Sequence, residues 1–246
     1  MSSAAKLAFD RLAMKLNTIV RLTAEELSSI SSLPLIIRDL RPDQDIVREG
    51  DRPSQCCLII EGLAYRYKIV GEGRRQIFSY HIAGDTPDLQ SLHLERMDHN
   101  VGTLIATKVA FIPHHDVKVL TETQPRVLAA FWRDGLIDAA IFREWMVGMG
   151  RRSALTRIAH LICELFTRYA AVQLNDGPTI PYHLRQTDIG DSLGLSTVHV
   201  NRVIQKLKSD KLVAINGKSL TVLNWQTLKE VAEFDPNYLH LQEAPT

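Results

Sequence analysis

Between Thr187 and Leu207 the chain reads TDIGDSLGLSTVHVNRVIQKL. On a helical wheel at about 100° per residue, its second half divides cleanly. Val200, Val203, Ile204 and Leu207 cluster on one side, and Val198, Arg202, Gln205 and Ser209 lie opposite. Asn201 and Lys206 flank that outer face, and Thr197 and His199 fall in the first turn. An arginine can donate two hydrogen bonds to guanine O6 and N7, and Asn or Gln can pair in the same way with adenine. A valine can touch a thymine methyl. The face therefore has the donors, acceptors and apolar contact needed to read base edges, and no acid interrupts it.

The elements that would hold this face are local and legible. Thr187 and Asp188 can cap a short helix, because their oxygens satisfy free N–H groups at its start. Ile189 and Leu193 then share one side of it. Gly194 tolerates the left-handed backbone that ends a helix sharply. Ser196 can cap the second helix. The pattern is helix, tight turn, helix. Two β-runs follow in LVAINGKSLTVL, joined by Asn216-Gly217, a two-residue hairpin signal. A hairpin there is a wing, and Lys218 at its tip can meet a phosphate. Asn224 starts a final helix, NWQTLKEVAEF.

Charge distribution agrees. Residues 1–150 hold 18 Lys/Arg against 19 Asp/Glu, whereas residues 151–218 hold ten against five. The positive excess thus surrounds the helix–turn–helix, as a polyanion partner would require. A solvated basic surface is the plainer alternative, and charge alone does not choose between them.

Upstream the texture differs. Thr23 and Glu26 have capping-box spacing before Leu27 and Ile30, in a region of short helices. From about residue 34, short β-rich runs (QCCLII, LAYRYKIV, QIFSYHI, TLIATKVAFIP) alternate with Gly–Asp-type turns. This spacing predicts an antiparallel roll or sandwich. Residues 115–122 fit a short helix. A long apolar-rich helix runs from about 124 to 150, with no proline after Pro125. Such length exceeds one small domain's needs. It serves either self-association or a core wrapped by the chain itself, and association is favoured. SALTRIAHLICELFTRYAAV repeats apolar residues at helical period.

With 246 residues, 45% hydrophobic and 23% charged, the chain can build a sizeable core. It contains no apolar run long enough to span a bilayer, and its N-terminus is a poor signal peptide. A cytoplasmic protein with no membrane partner is expected. The cysteines, Cys56, Cys57 and Cys163, are too few for a disulfide framework or an iron–sulfur cluster. Cys56 and Cys57 would point to opposite faces of a strand. No nucleophile–base pair, metal spacing or phosphate loop is present, so no enzyme and no metal site are expected.

The stretch TDIGDSLGLSTVHVNRVIQKLKSDKLVAINGKSLTVLN resembles the winged helix-turn-helix of the Crp/Fnr family of bacterial transcription regulators. VREGDRPSQCCLIIEGLAYRY and GEGRRQIFSYHIAGD resemble that family's β-roll. The resemblance spans about 40–235. It implies an α+β chain: an N-terminal antiparallel β-roll of the cyclic-nucleotide-binding type, a long dimerisation helix and a C-terminal winged helix-turn-helix. The corresponding segments are 1–123, 124–151 and 152–246. It further implies a homodimer on an inverted repeat of double-stranded DNA, with RNA polymerase as a further partner. Thr197, Val198, His199, Asn201, Arg202 and Gln205 would meet bases, and Arg202 falls on the family's base-contacting arginine. Thr197 and Val198 depart from the side chains common there, which leaves the half-site open. Gln186, Thr187, Ser196, Lys206 and Lys218 would meet phosphates.

In the β-roll, the family's phosphate cassette has a Gly-Glu-Leu followed by Arg-Ser or Arg-Thr. Here the region reads AGDTPDLQSLHLERMDHNVGTLIA. Asp88-Leu89 echoes Glu-Leu without the glycine, no arginine falls near Asp98-His99-Asn100, and Arg96 is out of register. These departures argue against a cyclic nucleotide, and no cofactor is expected. Asp88, Leu89, Arg96 and Asn100 are the candidate effector pocket. His81, His93, His99, His114 and His115 offer ligands for haem, a weaker option because a lone histidine is more often hydrogen-bonded or on the surface. A ligand-sensing β-roll that regulates a partner protein is the alternative function.

Overall fold

The computed structural model of the protein describes residues 2–242. Met1 and residues 243–246, at the outer ends of the first and last sequence-defined segments, lie outside the described residues. The chain opens with α1 (Ser3–Asn17), capped by the Ser2 hydroxyl, and α2 (Ala24–Ser31). The expected capping box forms at α2. Thr23 Oγ1 accepts from the Glu26 N–H at 3.2 Å, and Glu26 Oε2 accepts from the Thr23 N–H at 2.7 Å.

Seven strands follow: β1 (Ile36–Leu40), β2 (Asp45–Val47), β3 (Gln55–Glu61), β4 (Ala64–Val70), β5 (Arg74–His81), β6 (Asn100–Thr103) and β7 (Thr107–Pro113). They make two antiparallel sheets, ordered β1-β7-β3 and β2-β6-β4-β5. The run TLIATKVAFIP, expected as one strand, is two strands in different sheets. Its middle leaves the ladder: the Leu104 N–H donates to the Leu63 carbonyl at 2.7 Å, and the Thr107 hydroxyl donates to the Ile105 carbonyl at 2.8 Å. Gly62 packs here at φ +107°, and a Cβ on it would come within 2.5 Å of Thr107 Oγ1. Cys56 joins the cluster under α1, and Cys57 joins a second cluster with Ile59, Ala64 and Val109. They do face opposite sides.

Next come α3 (His114–Thr123), α4 (Pro125–Arg151) and α5 (Ala154–Ala171). The C-terminal unit contains β8 (Thr179–Pro181), α6 (Gln186–Leu193), α7 (Thr197–Ser209), β9 (Val213–Asn216), β10 (Ser219–Val222) and α8 (Trp225–Ala232). Its sheet runs β8-β10-β9. Among the described residues no helix is long and apolar enough to cross a membrane.

One apolar core crosses the whole molecule. Tyr65, Ile77 and Tyr80 of the roll, Ile137, Ile141 and Trp145 of α4, and Ile158, Leu193 and Leu207 further on belong to the same buried cluster. Buried charges reinforce the junction. Lys15 Nζ lies 2.9 Å from Asp85 and 3.3 Å from Asp134 of α4. Arg168 of α5 reaches Asp85 at 2.8 Å, and Arg66 reaches Asp138 of α4 at 2.7 Å. Burial disfavours the Asp85 carboxylate, but Lys15 and Arg168 outweigh it and hold its pKa below the ordinary carboxylate value.

Candidate nucleic-acid interface

The helix–turn–helix forms from its local signals, with one shift at its start. α6 begins at Gln186, so Arg185 occupies the cap position and Thr187 is an exposed first-turn side chain that caps nothing. Asp188 performs the acceptor role instead, taking the Arg185 N–H at 2.9 Å. Gly194 ends α6 in the left-handed region at φ 65°, as expected. Gly190 is a second requirement. A Cβ there would meet the Leu195 carbonyl oxygen at 2.6 Å, so the turn closes only over a bare backbone. Ser196 caps α7, accepting the His199 N–H at 3.3 Å.

The wheel division holds in three dimensions. Val200, Val203, Ile204 and Leu207 are buried. Val198 is 70% exposed, and Thr197, Asn201, Arg202, Gln205 and Ser209 are exposed with it. His199 is half-buried. Among the described residues, neither Arg202 nor Gln205 makes a hydrogen bond or ion pair, so both keep their bonding capacity. Asn201 donates to Gln186 Oε1 at 3.3 Å, which ties the two helices at their outer edge. Lys206 pairs with Asp210 at 2.9 Å. Both are exposed, so this ion pair is weak.

The hairpin differs by one residue from its sequence reading. Asn216 stands opposite Ser219 in the ladder, so the two-residue loop is Gly217-Lys218. Gly217 has φ +57°, and Lys218 is exposed at the turn. A channel of about 430 Å³ runs between α7 and this wing. Gln186, Gln205, Lys208 and Lys218 line it, bringing three predicted residues together with one missed lysine.

Sequence reasoning also missed the grip on α6. Arg75 of β5 donates to Asp188 at 2.7 Å, to Asp191 at 2.8 Å and to the Tyr65 hydroxyl at 3.0 Å. Its guanidinium lies over the Tyr65 ring, 5.1 Å from the centroid. The Tyr80 hydroxyl donates to the Asp188 carbonyl at 3.0 Å. Arg185 pairs with both Asp188 and Asp43. Burial opposes the Asp188 carboxylate, yet Arg185 and Arg75 hold its pKa below the usual value. Only Asp188, three residues after Arg185, gave a local hint; Arg75 is over a hundred residues away.

The candidate effector residues are not gathered into one pocket. Asp88 is buried, and its carboxylate accepts the Cys57 N–H at 2.6 Å. Burial pushes its pKa up to about 7. Asn100 accepts the Glu49 N–H and donates to the Tyr67 carbonyl, and Arg96 is exposed. Leu89 alone of the four lines a groove of about 420 Å³ beside α4. The physical reason is that Asp88 and Asn100 already serve neighbouring backbone groups, while Arg96 lies on the surface. The histidines are dispersed too. His81 meets Ser79 Oγ at 2.8 Å, His99 meets Asp98 at 2.7 Å and His114 meets Ser91 Oγ at 3.0 Å, while His93 lines the groove and His115 is exposed. Among the described residues, no three His, Cys, Asp or Glu side chains cluster to hold a metal.

Two family models match this chain. Residues 37–124 match the cyclic nucleotide-binding domain, and residues 156–231 match the Crp-like helix-turn-helix domain. The fumarate and nitrate reduction regulatory protein of Vibrio cholerae is 25% identical over 210 residues, covering 83% of each chain. The transcriptional activator protein FnrL of Cereibacter sphaeroides is 28% identical, covering 80% of each. In fold, the chain is similar to FixK2 from Bradyrhizobium japonicum, with a TM-score of 0.73 at 22% identity, over 81% of this chain and 98% of that one. A roll of the first type, a long helix and a reading head of the second type, in that order on one chain, place it among DNA-binding transcription regulators of the Crp/Fnr family.

Proposed function

We propose that the protein acts as a homodimer on an inverted repeat, with α7 of each copy in successive major grooves roughly 34 Å apart. The exposed, acid-free face of α7 carries this reading. Arg202 and Gln205 read base edges, with Asn201, Val198, Thr197 and His199 beside them. Lys218, Ser196, Gln186, Thr187 and Lys206 meet phosphates, joined by Lys208. Lys206 exchanges its weak pairing with Asp210 for a phosphate. Dimerisation uses the outer stripe of α4, where Leu128, Trp132, Leu136, Met146 and Met149 are all exposed.

The roll works without cyclic nucleotide or haem in this reading. Its buried arginine, Arg66, already serves Asp138 and the Pro87 carbonyl, which leaves little to neutralise a cyclic phosphate. The protein acts in the cytoplasm, contacts RNA polymerase and catalyses no reaction.

The test is selection of bound sequences from a random DNA pool, followed by titration against the selected site. A palindromic consensus and a steep fall in affinity with salt are expected. Arg202→Ala should lose discrimination at one base pair of each half-site. Indifference of the selected site to that change overturns the assignment.

A further inference from the structure

The outer side of α4 repeats with a spacing that its inner side does not need. Leu128, Trp132, Gly135, Ala139, Phe142, Met146 and Met149 are separated by four and three residues in strict alternation. That is the seam of a two-stranded coiled coil. Two members are odd. Trp132 is the most exposed large hydrophobic side chain of the helix, at 70%. Gly135 sits mid-helix, where glycine weakens a helix relative to alanine. A Cβ on Gly135 would meet nothing within 4 Å, so nothing in its own chain requires a glycine there.

The two oddities are complementary. In a parallel, in-register pair, a residue at position 132 inserts into a hole formed by residues 128, 131, 132 and 135 of the facing helix. Leu128, Phe131, Trp132 and Gly135 all line the groove of about 420 Å³ beside α4. A side chain at 135 would fill that hole, and the glycine leaves it open. Leu89 and Leu94, from the segment before β6, form its far wall.

We propose that the partner subunit's Trp132 seats in this groove over Gly135, so that each copy inserts one indole against the other's α4 and roll. The inference rests on the homodimer reading and names its central contact. It also means that the groove is occupied by protein in the working dimer.

Sedimentation equilibrium of the full-length chain tests it. Wild type should dimerise, and Gly135→Leu should raise the dimer dissociation constant at least tenfold by filling the hole. Trp132→Ala should weaken the dimer too, by removing the knob. The double variant, with the large and small side chains exchanged, should dimerise better than either single variant. The thermal melt of each monomer checks that folding persists. A dimer unaffected by Gly135→Leu, or a double variant whose loss is the sum of the two single losses, overturns this proposal while leaving the dimer intact. A wild type that stays monomeric at all concentrations overturns the homodimer reading itself, and this contact with it.

Discussion

The reading head and the β-roll treat their polar side chains in opposite ways. On α7, Arg202 and Gln205 stand exposed with their hydrogen-bonding groups unspent. In the roll, Asp88, Arg66, Asp85 and Asn100 are each committed to a neighbour, and the first three are buried. The difference separates two jobs. A polar group in water loses little by waiting for a ligand, whereas a buried one must be paired within the fold. Charge in the roll therefore holds the structure together, and charge on the head is available to an outside partner.

Removing the α5 cation that neutralises Asp85 of the roll, and then a charge from the reading face, tests this contrast. The largest effect is expected from Arg168→Met. It leaves Glu164, which is fully buried, and Asp85 short of their shared cation, and should cost about 3–5 kcal/mol in urea unfolding. Arg202→Ala should cost about 1–3 kcal/mol in specific DNA affinity and leave the unfolding midpoint essentially unchanged. The contrast breaks if Arg202 proves as costly to stability as Arg168.

Acid should find the roll next. Burial, with the Arg66 charge beside it, pushes the His81 pKa down to about 3. Below pH 6.5 the unfolded chain takes up a proton that folded His81 refuses, so stability falls as pH drops toward 3. Going from pH 7 to 5.5 should cost about 1 kcal/mol from this group, and His81→Gln should flatten that part of the pH profile. The smallest effect is expected at the wing. Lys218→Ala should reduce the salt slope of DNA binding by about one and weaken all sequences alike.

What the sequence made legible was local. The capping box at Thr23, the glycine turn at Gly194, the Ser196 cap and the two sides of α7 each depend on residues within a few positions of one another. What it hid was long-range or unpunctuated. Arg75 finds Asp188 and Asp191 only after the roll and head have docked. The break at Leu104–Ala106 has no glycine or proline to mark it. Asp88 resembled a ligand group by type and position, but only the fold shows that the Cys57 N–H already holds it.

The docking of β5 onto α6 has a consequence for how such regulators can be recombined. Tyr80 bonds an α6 carbonyl, Arg75 clasps two α6 carboxylates, and one apolar cluster runs beneath both. A head grafted onto this roll without acids at the positions of Asp188 and Asp191 would leave Arg75 without its partners. The exchangeable cassette is therefore α6 together with the β4–β5 hairpin, two pieces far apart in the gene that must be transplanted as one.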